Sequence, residues 1–105
     1  MDLADTFFDL ADMLESRRLY RFADQTRGVG ISMTNNIAEG AGSDSNREFS
    51  RYLRISRSSV FEGANISFVL YRRKLIDEAH HASLLESCDH LARMISNFRS
   101  SLLKQ

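Results

Sequence analysis

The chain has 105 residues, enough for one domain and one modest core, and its 14 basic and 14 acidic side chains cancel. That balance argues against a dedicated nucleic-acid binder but leaves room for a local basic patch. No apolar run approaches the roughly 20 residues of a membrane span, the acidic opening Met1-Asp2-Leu3-Ala4-Asp5 is no secretion signal, and the lone Cys88 excludes an internal disulfide, so the expected location is cytoplasmic.

Residues 2–15 read as a first helix, with Leu3, Phe7, Leu10, Ala11 and Leu14 at helical spacing. Asp2, Asp5, Asp9 and Asp12 line the opposite side. That stripe is either a solvated face favoured by the helix dipole or a docking strip for arginines of a neighbouring subunit. Residues 17–39 read as a second helix, striped by Leu19, Phe22, Ala23, Thr26, Val29, Gly30, Met33 and Ile37. Gly28 and Gly30 weaken it by roughly 1 kcal/mol each and suggest close helix packing, since no strand precedes them as a phosphate loop requires. Residues 46–75 read as a third helix, whose core face carries Phe49, Tyr52, Leu53, Ser56, Val60, Gly63, Ser67 and Leu70. Phe61 and Phe68 share a face offset from it, which makes them either a widened core or an oligomer contact. Residues 78–103 read as a fourth helix, capped by Asp77 and striped by Leu84, Leu85, Cys88, Leu91, Ala92, Ile95, Phe98 and Leu102. Inside that stripe, Cys88 reads as a small buried hydrophobe.

The second and third helices flank Asn36-Ile37-Ala38-Glu39-Gly40-Ala41-Gly42, a helix stop followed by a tight loop. Gly40 and Gly42 suit the left-handed conformation that ends a helix, and Ser45 with Glu48 has the spacing of a capping box. A short loop implies an antiparallel pair, with Ile37 near Phe49, Met33 near Tyr52, Val29 near Ser56 and Gln25 near Val60.

The same segment carries a resemblance. Asn36 to Gly40, Arg47-Glu48-Phe49, Tyr52-Leu53, Ile55, Arg57, Ser59 and Glu62 resemble the four-helix bundle proteins of 23S rRNA intervening sequences. Gln25, Arg27 and Ser32 fall at that family's spacing upstream, and Ile76-Asp77, Ile95, Phe98 and Leu102 do so downstream, over roughly residues 14–102. The chain departs from the family pattern at Thr34, where proline is usual, at Ser58, where glycine is usual, and in a shorter first helix. The resemblance implies a family without established activity. It is similar to a pentameric accessory protein of diversity-generating retroelements, which binds a reverse transcriptase and nucleic acid.

Catalytic chemistry is poorly supplied. His80, His81 and His90 form no metal-binding spacing, and no histidine lies near the Ser56, Ser58 and Ser59 hydroxyls in the bundle register. Arg27, Arg57, Glu39 and Glu62 suggest a partly buried charge cluster that fixes register. The remaining cations fall into three groups. These are Arg17, Arg18 and Arg21; Arg47, Arg51 and Arg54 running on to Arg57; and Arg72, Arg73 and Lys74. Arginine forks suit phosphate or carboxylate, so these groups are either a solvated surface or a nucleic-acid backbone contact. The expected protein is an all-α, up-down-up-down four-helix bundle spanning residues 1–105, non-enzymatic, without cofactor, metal, small-molecule substrate or membrane role. It is expected to be a homo-oligomer, five-fold by resemblance, binding RNA or DNA or a reverse-transcriptase-like partner. The alternative is a structural or protein-interaction bundle without nucleic acid.

Overall fold

Apolar residues recurring every three or four positions commit the chain to helices that must bury one face each. The computed structural model describes residues 2–104 and contains α1 (Asp2–Ser16), α2 (Tyr20–Ala41), α3 (Asn46–Arg72) and α4 (Glu78–Leu103). The long axis of 47 Å slightly exceeds the roughly 40 Å of a 27-residue helix, so the helices lie along it. Each helix packs on its successor, whereas α1 and α4 barely touch. Contacts run in opposite directions along every successive pair. Asp12 and Phe8 of α1 meet Arg27 and Gly30 of α2. Ser56 and Ser59 of α3 meet Met33 and Ser32 of α2. Ser50, Arg57 and Ser67 of α3 meet Arg99, Ser96 and His81 of α4.

The core contains the expected stripes. Leu3, Phe7, Leu10, Ala11 and Leu14 of α1 are buried, as are Val29 and Met33 of α2, Leu53, Val60 and Leu70 of α3, and Leu84, Cys88, Ile95 and Leu102 of α4. Burial pushes the Cys88 thiol up to about 11. Two details differ from the periodicity. Phe98 is 45% exposed, packing edge-on against Phe49 at 5.2 Å between ring centres. His81 is buried instead, its Nδ1 sharing a 2.6 Å hydrogen bond with Ser67 while its ring stacks on Tyr71.

Helix ends depart from expectation for a single reason. The left-handed residues are Arg18 and Lys74, both at φ 61°, and no described glycine has positive φ. The Leu19 N–H reaches back to the Leu14 carbonyl and the Arg18 N–H to Glu15, a turn repeated by Leu75 to Leu70 and Lys74 to Tyr71. Both are Schellman closures with an apolar residue folded back onto the core. They end α1 at Ser16 and α3 at Arg72, so α2 begins at Tyr20 rather than at 17 and α3 stops short of 75. A non-glycine residue in this conformation carries about 1 kcal/mol of strain. Lys74→Gly is therefore expected to raise stability by about 1 kcal/mol; an unchanged or lower melting temperature would contradict the strain.

At the α2–α3 turn, Ser45 accepts from the Glu48 N–H at 3.1 Å, and Asp77 likewise accepts from the His80 N–H at 2.7 Å, as N-caps do. Gly40, however, is a buried helical residue and not a left-handed cap. A Cβ there would stand 2.7 Å from the Phe49 ring and 3.0 Å from the Tyr52 Cβ. Gly30 is similarly closed by Phe8, whereas Gly28 faces open space and has no packing role. Because α2 runs through Gly40, the α2–α3 register sits about one turn away from the expected pairing. Met33 lies at Ser56 rather than Tyr52, and Gly40 rather than Ile37 lies under Phe49.

Candidate functional site

Small polar residues at and before the Asn36 motif hold α2 to α3. Asn36 donates to the Ser32 carbonyl at 2.8 Å and to its hydroxyl at 3.2 Å, and Ser32 shares a 2.6 Å hydrogen bond with Ser59. Ser56 donates to the Met33 carbonyl at 3.0 Å. These hydroxyls satisfy backbone and one another across a close helix contact, which is a packing role.

The expected charge cluster of Arg27, Arg57, Glu39 and Glu62 does not assemble. Arg27 turns to α1, 3.1 Å from Asp12 and 3.7 Å from Glu15, with Asp24 of its own helix at 3.8 Å. Arg57 points to α4, donating to the Ser96 hydroxyl at 2.7 Å. Glu39 is exposed beside Asp44 and Glu48, and Glu62 is exposed in a groove between α2 and α3. The observed register keeps Arg27 and Glu62 at similar levels, but Arg27 turns to the carboxylates of α1 and Arg57 to α4, so the cluster does not form. The groove also contains Gln25, Gly28, Phe61 and Val69. Phe61 is 58% exposed and Phe68 48%, so neither is a widened core, though Phe68 meets the buried His81 edge-on.

Two of the three basic groups share one end of the bundle. Arg17 and Arg18 lie in the α1–α2 turn and Arg21 in the first turn of α2, while Arg72, Arg73 and Lys74 lie across the α3–α4 turn. Arg17 reaches the Leu75 carbonyl at 3.4 Å, tying the two turns together. All six cations are exposed. The third group is on α3, where Arg47, Arg51 and Arg54 are exposed. Arg51 is committed to Glu48 at 2.8 Å and lies over the Tyr52 ring, and the Glu48 carboxylate raises its pKa.

A fourth feature belongs to tertiary structure. Arg99 of α4 donates through Nε to the carbonyl and hydroxyl of Ser50, both at 3.1 Å. Burial lowers its pKa, and the charges of Arg57 and Arg54 lower it further. The first half of α3 and the last half of α4 thus form one surface, with the Asn46 side chain donating to the Leu102 carbonyl at 3.4 Å at its far end. Residues 46–61 and 90–104 hold seven of the chain's cations and one carboxylate, Glu48. The rest of the chain is correspondingly acidic, and α1 carries five carboxylates and no cation. The neutral total conceals a strongly polar molecule. Arg99 gave no motif signal in the sequence; the absence of any acid after Asp89 was the available clue.

Among the described residues no three potential metal ligands cluster, and no helix is long and apolar enough to cross a membrane. The architecture is that of a small all-α protein whose four helices pack as a bundle. Over residues 1–97 the chain matches the 23S rRNA-intervening sequence protein family, and it belongs to that family. No curated protein and no solved structure matches it.

Proposed function

We propose that this protein is a non-enzymatic, self-associating cytoplasmic module that binds the backbone of RNA or DNA through the basic face of α3 and α4. The observation that carries this reading is the concentration of seven cations against one carboxylate in residues 46–61 and 90–104 of a neutral chain, segments that pack side by side in α3 and α4. Phosphate contacts release counterions and supply sequence-independent affinity, which is the binding such a face supports. Arg47 and Arg54 have exposed forks; Arg17, Arg18, Arg21, Arg72 and Arg73 offer a second, more mixed patch at the bundle end.

Self-association rests on the exposed Phe61 and Phe68 and the groove beside them. The carboxylate-rich α1 and the basic face are opposite in sign, so head-to-tail contacts would orient subunits, and such contacts close into rings when the rotation allows. Five-fold assembly and a reverse-transcriptase-like partner follow from the resemblance alone. The second reading, a protein-interaction bundle without nucleic acid, is favoured by the same groove.

Binding of a labelled single-stranded RNA across salt tests the proposal. Four phosphate contacts give a slope of about −3 in log affinity against log salt, a loss of about 50-fold between about 50 and about 200 mM. Absent or salt-insensitive binding selects the second reading. Sedimentation of Phe61→Asp tests assembly: folded protomers are expected, and an oligomer persisting with unchanged helicity removes Phe61 from the interface.

A further inference from the structure

We propose that Arg54, Arg57 and Arg99 form a seat for a single phosphate group on the α3–α4 face; the inference rests on the nucleic-acid reading above and names the point of contact. Arg57 and Arg99 come from different helices, yet each is anchored by one edge to a serine of the opposite helix, Ser96 and Ser50 respectively. Anchoring by one nitrogen fixes a guanidinium while leaving its other N–H groups to bind elsewhere, so less side-chain freedom is lost when a ligand arrives. Arg54 lies one turn before Arg57 and is exposed. Burial lowers the Arg99 pKa, and the charges of Arg57 and Arg54 lower it further.

No carboxylate is paired with these three residues among the ion pairs of the described residues, whereas Arg27, Arg51 and Arg93 each have an acidic partner. Like charges held together without a counter-charge favour an anion that accepts from several directions. A carboxylate presents two oxygens and satisfies one fork. A phosphate presents oxygens toward guanidiniums from two helices at once, and Arg57 and Arg99 stand on two helices, each anchored across the α3–α4 contact. The phosphate can be a backbone phosphodiester or a free phosphate ion, and the experiment separates these sources.

Two titrations of the full chain are compared, with inorganic phosphate and with a single-stranded RNA lacking terminal phosphates. The first is read by the Nε–H NMR signals of the arginines in the unaltered protein. The expected result is saturable movement of the Arg57 and Arg99 signals with phosphate, and not with chloride at equal ionic strength. With RNA, Arg57→Gln/Arg99→Gln is expected to bind about tenfold or more weakly, with a salt slope shallower by about 0.7 per guanidinium removed. The Arg57→Lys/Arg99→Lys protein, which keeps charge but loses the forks, should fall between. RNA binding that survives in the Gln variant with the original slope, together with unmoved Arg57 and Arg99 signals, overturns the seat and leaves the nucleic-acid reading standing. Phosphate binding without RNA binding supports the seat as a free-phosphate site and overturns the nucleic-acid reading. Silence in both titrations overturns both.

Discussion

Phe7→Ala is expected to cost about 3–5 kcal/mol, the largest effect of any single substitution considered for this chain. Phe7 is fully buried, and its ring fills the space left by the missing side chain of Gly63 on α3; a Cβ on Gly63 would stand 2.5 Å from the Phe7 Cζ. Removing the ring opens a cavity between α1 and α3 that a close-packed bundle cannot collapse around. For a domain of about 100 residues the melting temperature should fall by on the order of 15 °C or more. The reciprocal change is also informative. Gly63→Ala offers a better helix former, yet the Phe7 ring must move, so a net loss of about 1–3 kcal/mol is expected. In a Phe7→Leu background the same substitution should be much less harmful, because the obstructing ring atoms are gone. Additive losses in that double variant, measured by denaturant unfolding, would show that Gly63 and Phe7 are not coupled.

Gly40→Val should destabilise by about 1–3 kcal/mol, through collision rather than backbone conformation. Gly40 is helical, and any Cβ at that position enters the Phe49 ring and approaches the Tyr52 Cβ. Phe49 is only partly buried, so shortening it leaves a modest deficit of its own. Phe49→Ala should therefore recover much of the loss caused by Gly40→Val. If stability is lost equally in both backgrounds, strain at Gly40 itself, and not its contact with α3, sets the cost.

These two glycines illustrate a limit of reading sequence locally. Gly40 precedes a loop, and glycine before a loop most often marks a left-handed cap. The chain places that conformation at Arg18 and Lys74 instead, where the return of Leu19 and Leu75 to the core decides the turn. The helix then runs two residues past its expected end at 39, and the contacts between α2 and α3 shift by about one turn. Arg27 and Glu62 were legible as distinctive residues, but their partners depended on which neighbouring helix each faced.

The sequence by itself determined the number of helices, their core stripes and the caps at Ser45 and Asp77. Apolar periodicity and capping hydrogen bonds act within a few residues, so their physics is written in short windows of chain. Tertiary structure decided the α2–α3 register, the burial of His81 against Ser67 and Tyr71, the partners of Arg27 and Arg57, and the anchoring of Arg99 on Ser50. Those contacts join residues far apart in the chain. Their geometry follows from how closely two helices approach, and that is set by the fit of rings such as Phe7 and Phe49 over Gly63 and Gly40.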